Sequence, residues 1–207
     1  IADFPRPGLS YVDVTPIFAD APAFAAVIQA IAAYCRSLTP AITHIAAAEA
    51  RGFLLGPPVA LALGIAFIPV RRADKLPREV ISVTVRHSSF SSERLEAHAD
   101  SVPRGCRVVV VDDVIATGRT LIGVAALIRC VGDRCRRQRA RTRVCTQSTV
   151  SRPCRTAGAG GGTVAGCACV AELPGLDGRR RLSDAAIPLF TVLAAGAPMR
   201  SIGDAHG

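Results

Sequence analysis

"VVVVDDVIATGRTL", residues 108–121, decides how the rest of this 207-residue chain is read. Its four leading valines show no apolar/polar alternation and are too few for a buried helix. They predict a central strand covered on both faces, and hence a mainly parallel sheet. Asp112 and Asp113 stop the run at its carboxyl end, and Ala116, Thr117, Gly118, Arg119 and Thr120 follow as a small-residue loop. The apolar stretch 121–131 then predicts a helix. Strand, acidic pair, loop and helix in that order is how open α/β sheets place ligands outside their strand ends. Backbone N–H groups in the loop and at the helix start, with the Thr117 and Thr120 hydroxyls, suit a phosphate. Two carboxylates repel a phosphate, so they call for a neutral polyol, a metal or both. A sugar phosphate with vicinal hydroxyls meets every requirement. A turn with an aspartate N-cap would explain a bare acidic doublet, but not the whole succession.

Outward from this stretch the elements alternate. An alanine-rich amphipathic pattern over 22–38 predicts a helix, "ITHIAAAEA" (42–50) a strand, and "GPPVALALG" (56–64) a short helix with its prolines in the first turn. "AFIPVRR" (66–72) reads as a strand, and "EVISVTVR" (79–86) opens an exposed hairpin flap. "VAGCACVAEL" (164–173) and "IPLFTVL" (187–193) are the last strands. Together they predict an α/β, doubly wound, mainly parallel sheet with flanking helices, in one domain over 1–207.

The 108–121 stretch closely resembles the 5-phosphoribosyl-1-pyrophosphate (PRPP) signature of the type I phosphoribosyltransferases. Five blocks in order narrow the resemblance to the adenine phosphoribosyltransferase family. They are "DFPRPGLSYVDVTPIF" (3–18), "EARGFLLGPPVALALG" (49–64), "VRRADKLP" (70–77), "ERLEAHADSVPRGCRVVVVDDVIATGRTL" (93–121) and "VAELPGLDGRRRL" (170–182). The resemblance implies the type I phosphoribosyltransferase fold and the reaction of adenine with PRPP to give AMP and pyrophosphate. It implies that Asp112 and Asp113 hold the ribose hydroxyls, with Asp113 stabilising positive charge at C1, and that residues 116–120 cradle the 5-phosphate. Glu49, Ala50, Arg51 and Gly52 resemble the pyrophosphate loop, in which Gly52 permits close backbone approach and Arg51 offers a planar donor fork. Arg71 and Lys75 would neutralise pyrophosphate and reach a dimer interface. Tyr11 would stack on adenine, with Ser10 hydrogen-bonding its edge. The catalytic set is thus Asp113, Arg51 and Lys75, with Mg2+ bound mainly through PRPP rather than by protein ligands, in a cytoplasmic homodimer. The alternatives are a transferase for another purine base or a PRPP-sensing regulator that binds nucleic acid.

Composition bears on these expectations. Of 25 basic residues only Lys75 is lysine, so a position kept as lysine in an arginine-rich chain points to a need for a compact ammonium. No apolar run reaches the roughly 18 residues of a membrane span. The start lacks a basic region followed by an apolar one, so no signal peptide is expected, and the initial Ile suggests that a few residues precede it. Eight cysteines without a C-x-x-C pair or a mark of secretion predict reduced thiols.

Four departures from the family stand out. Val12 replaces an arginine, Arg119 the second glycine of A-T-G-G-T, and "SSFSS" (88–92) a Glu-Tyr-Gly flap, with Ser89 and Phe90 in its places. An arginine at 119 is strained if the position needs positive φ, and otherwise adds a phosphate donor. With the flap glutamate gone no general acid carries over, and Glu93 and Glu96 are the nearby candidates. The fourth is an Arg/Cys-rich insert at 133–158, whose eight arginines and one aspartate hold +7 of the formal +9 charge. So local a charge argues against the whole fold binding nucleic acid. The insert predicts an exposed loop; a polyanion-binding arm and a translated intron or frame error are the other readings. Metal is disfavoured because Cys135, Cys145 and Cys154 are widely spaced with no histidine among them.

Overall fold

The computed structural model describes residues 12–88, 90–130, 161–173 and 175–193, together with the backbone of 142–145. Its helices are α1 (Thr15–Ala19), α2 (Ala21–Ser37), α3 (Gly52–Leu63), α4 (Arg119–Arg129) and α5 (Gly178–Asp184). Its strands are β1 (His44–Ala48), β2 (Ala66–Arg72), β3 (Val80–Arg86), β4 (Ser92–His98), β5 (Arg107–Ile115), β6 (Thr142–Cys145), β7 (Thr163–Glu172) and β8 (Leu189–Thr191). They form one sheet in the order β6-β3-β4-β2-β1-β5-β7-β8. β2, β1, β5, β7 and β8 run parallel, while β3 and β4 form the antiparallel flap hairpin joined to β2. The α/β, mainly parallel architecture is the one expected.

Val108, Val109, Val110 and Val111 are fully buried, because alternate side chains of β5 enter two different cores. Val108 and Val110 pack with α4 residues Val124, Leu127 and Ile128 on one face, whereas Val109 and Val111 pack with Ile31, Leu55 and Val59 of α2 and α3 on the other. Roughly 25 cal/mol per Å² of apolar surface removed from water makes this doubly covered strand the anchor of the fold. Val12, where the family has an arginine, packs against the second core.

Three boundaries differ from expectation. β5 does not stop at the acidic pair but continues to Ile115, because β7 keeps pairing with it through Ile115↔Glu172. α3 starts at Gly52, which places Pro57 and Pro58 inside the helix rather than in its first turn. α4 begins at Arg119, so Arg119 and Thr120 belong to its first turn and not to the loop. α1, α5 and β6 were not foreseen. β6 lies within the 133–158 insert and pairs parallel with β3 from Val80↔Thr142 to Val83↔Cys145, so these four residues form an edge strand and not an exposed loop. The rest of the insert lies outside the described residues.

Candidate functional site

The site forms where β5 outruns its neighbour. β1 pairs with β5 only as far as Ala47↔Val111, while β7 follows it to Ile115. From Asp112 onward one edge of β5 is therefore open, and the loop between β1 and α3 folds against it. A Cβ on residue 52 would sit 3.1 Å from the Val111 carbonyl oxygen and 3.4 Å from Asp112 Oδ1, so glycine lets the loop close on the strand. The closure brings Arg51 to Asp113, with Nε 2.9 Å from Oδ2. The Asp113 side chain is 2 % exposed and that of Arg51 50 %, so the arginine bridges a buried carboxylate to solvent. Asp112 Oδ1 accepts a hydrogen bond from Asp113 N at 3.0 Å. Burial, and then the neighbouring Asp113 carboxylate, raise the pKa of Asp112 above the ordinary carboxylate range.

The loop of residues 116–118 is held from behind. Gly118 takes φ 71°, a conformation that suits glycine. A Cβ on it would lie 3.0 Å from the Gly178 carbonyl oxygen, so the loop and the start of α5 meet through two glycines. Arg181 Nη1 donates to the Thr117 carbonyl at 3.1 Å and to that of Leu176 at 3.2 Å, fixing the loop to the turn before α5. The first-turn amides of α4 lack acceptors within the helix and adjoin residues 116–118, an arrangement that can accept an anion. Arg119 has ordinary helical backbone, and the left-handed position falls on Gly118. The arginine is therefore unstrained, and its Nη1 donates to the Arg86 carbonyl at 2.6 Å.

In the neighbouring loop, the Glu49–Ala50 peptide is cis. The Glu49 carboxylate accepts from Arg71 Nε at 3.1 Å and from Arg72 N at 3.3 Å, with Lys75 Nζ 3.5 Å away. The Arg71 hydrogen bond leads in holding the Glu49 pKa below its usual value. Glu49 thus gathers the two cations expected to meet pyrophosphate, a role open to a carboxylate that would itself repel that ligand.

On the flap, Glu93 bonds to Arg72 Nε at 2.7 Å and to His87 Nε2 at 3.3 Å. Glu96 is buried at 2 % exposure, 2.9 Å from Arg94 Nε, and accepts from Asp74 N at 3.1 Å. Neither acid candidate is thus free. Phe90 at the hairpin tip is fully exposed.

The structure therefore brings Glu49, Ala50, Arg51, Gly52, Arg71 and Lys75 into one cationic loop cluster, and joins it to Asp112 and Asp113 through Arg51. Ser10 and Tyr11 lie outside the described residues. Arg72, Gly178 and Arg181 join the site without a sequence signal of their own beyond the "DGRRRL" run that holds the last two. Among the described residues no group of three or more His, Cys, Asp or Glu could hold a metal, and no helix is long and apolar enough to cross a membrane. Cys35, Cys106, Cys130, Cys167 and Cys169 are free thiols.

Comparison with known proteins gives a consistent result. The phosphoribosyl transferase domain family matches residues 15–137. An adenine phosphoribosyltransferase of Desulfitobacterium hafniense is 46% identical over 132 residues, which cover 64% of this chain and 75% of that protein. Adenine phosphoribosyltransferase 1 of Triticum aestivum is 36% identical over 195 residues, covering 94% of this chain and 89% of its own. Among solved structures, the adenine phosphoribosyltransferase of Thermoanaerobacter pseudethanolicus superimposes with a TM-score of 0.71 at 34% identity, covering 93% of this chain and 92% of that one. The Saccharomyces cerevisiae enzyme, complexed with an imino-altritol bisphosphate and adenine, gives a TM-score of 0.73 at 30% identity with the same coverage.

Proposed function

The chain belongs to the phosphoribosyltransferase domain family, and from that premise we propose that it is an enzyme joining adenine to PRPP, with AMP and pyrophosphate as products. Relatives named for this reaction over nearly the whole chain support the substrate pair. The observation that carries the residue assignment is the 2.9 Å contact of Arg51 with Asp113, which joins a pyrophosphate-type loop to a ribose-type strand at one point.

Asp112 and Asp113 accept hydrogen bonds from the ribose 2- and 3-hydroxyls. The backbone N–H groups of 116–120, with the Thr117 and Thr120 hydroxyls, hold the 5-phosphate. Ala50 and Gly52 offer backbone, and Arg51, Arg71 and Lys75 offer charge, to pyrophosphate. As pyrophosphate draws on Arg51, the Asp113 carboxylate is left to face C1, where positive charge develops as the C1–O bond breaks. The electron pair leaves on pyrophosphate, adenine N9 bonds to C1 while the ring proton of adenine passes to the departing pyrophosphate, and the flap excludes water that would compete with N9. Ser10 and Tyr11 take the base edge and face. Asp112 and Asp113, as hard oxygen donors, would suit Mg2+ bound mainly through PRPP and water. When bound, it would neutralise charge on the leaving pyrophosphate.

A single domain over 1–207, a cytoplasmic homodimer and a catalytically passive insert complete the proposal. A competition among adenine, guanine and hypoxanthine at equal concentration with PRPP and Mg2+ tests it. AMP as the dominant nucleotide is expected. GMP or IMP in excess refutes the base assignment, and PRPP binding without any nucleotide favours a sensor.

A further inference from the structure

We infer that Arg119 is a positioning residue which ties the base of the flap to the 5-phosphate loop, rather than a phosphate ligand through its side chain. This rests on the function proposed above. Arg86 is the last residue of β3, and the hairpin turn follows at once, closed by His87 N to Ser91 O at 2.8 Å. On the side away from β4, β6 pairs with Val80–Val83, so among the described residues the end of β3 has no strand neighbour there. Arg119 reaches this stretch and donates to the Arg86 carbonyl at 2.6 Å. One helical turn along α4, a Cβ on Gly123 would collide with Val85, so the same helix face is pressed against the same arm of the hairpin.

The other arm has its own tether. Glu93 on β4 pairs with Arg72 Nε at 2.7 Å, and Arg72 N donates to Glu49 at 3.3 Å. Each arm of the flap is therefore fastened to a different phosphate-binding loop, β4 to the pyrophosphate loop and β3, through Arg119, to the 5-phosphate loop. Filling both loops sets both ends of the flap. A guanidinium suits the β3 tether because it has donors to spare for a neutral carbonyl. The glycine that the family resemblance puts at this position could not make it.

The test compares wild type, Arg119→Ala and Arg119→Lys by AMP formation, by PRPP hydrolysis without base, and by amide hydrogen exchange over residues 84–92. For Arg119→Ala, the KM for PRPP should stay within about threefold while kcat falls about tenfold, because ground-state phosphate binding is kept and flap closure is lost. Hydrolysis relative to transfer should rise, and exchange over 84–92 should quicken while the rest of the chain is unchanged. Arg119→Lys should recover most of kcat, since an ammonium also reaches a carbonyl. A KM raised about tenfold at unchanged kcat would identify a phosphate ligand and overturn the inference; so would exchange that does not change. If wild type itself makes no AMP, the proposed reaction fails, and the exchange comparison still decides the tether.

Discussion

Asp112 and Asp113 are adjacent carboxylates in unequal settings. Asp113 has a cation at 2.9 Å, whereas Asp112 has a backbone amide and a neighbouring negative charge. Asp113→Asn keeps shape but removes the charge facing C1, and kcat should fall by about a hundredfold or more, as for other lost electrostatic groups. Steady-state assay of the purified variant measures this. Asp112→Asn should raise the KM for PRPP and also stabilise the protein. The folded-state pKa of Asp112 is raised, so the folded chain binds more protons than the unfolded one between the usual carboxylate range and the raised value. The stabilising linkage is complete at acid pH and is lost as pH climbs through the raised pKa. The asparagine variant lacks this loss, so its advantage in Tm should grow with pH, reaching about 2 °C or more at pH 8. Thermal melts at pH 4, 6 and 8 check the trend, and an advantage that shrank with rising pH would contradict it. Lys75→Arg should raise the KM for PRPP, because a bulkier fork replaces the ammonium beside Glu49.

Among the elements, the turn from β5 into α4 depends on its contact with α5. A Cβ on Gly178 would overlap the Ala116 carbonyl and Ile115, both backbone or core positions without room to yield. Gly178→Ala should therefore cost about 1–3 kcal/mol of stability, as overpacking does, and raise the KM for PRPP with little change in kcat; melting and kinetics together test both. The parts of this site legible in the sequence were those whose chemistry is local. Four valines, an acidic pair and a Thr-Gly loop predict a buried strand, a carboxylate pair and a loop leading into a helix without reference to the rest of the chain. What stayed hidden depended on partners. The strand continues past Asp113 only because β7 pairs with it, and Pro57–Pro58 look like a helix start until Gly52 is seen to be needed against Asp112. Whether Arg119 is strained turned on which residue takes the left-handed conformation, and Gly118 takes it. Arg181 looked like one charge in a run of three until its bond to Thr117 was visible. β6 carries no apolar alternation and owes its place to the open edge of β3.

For the whole molecule, the insert is the main departure, and the chain on either side of it is already joined. Gly162 N donates to the Ile128 carbonyl at 3.2 Å, so the two flanks meet without the residues between them. Replacing 133–158 by a short glycine-containing turn should preserve the fold, since shortening a loop costs little entropy, with a modest fall in Tm from losing the β6 edge. AMP formation should persist, and retention on heparin at moderate salt should disappear with the clustered arginines. A folded but inactive deletion would show that the insert serves the site. The central claim is that the β5 acidic pair, the phosphate loop and the Arg51 loop together transfer phosphoribose to adenine. It is tested most directly by incubating the full chain with adenine, PRPP and Mg2+ and counting products. Equimolar AMP and pyrophosphate, lost in Asp113→Asn, is the predicted result; saturable PRPP binding with no AMP released would contradict it.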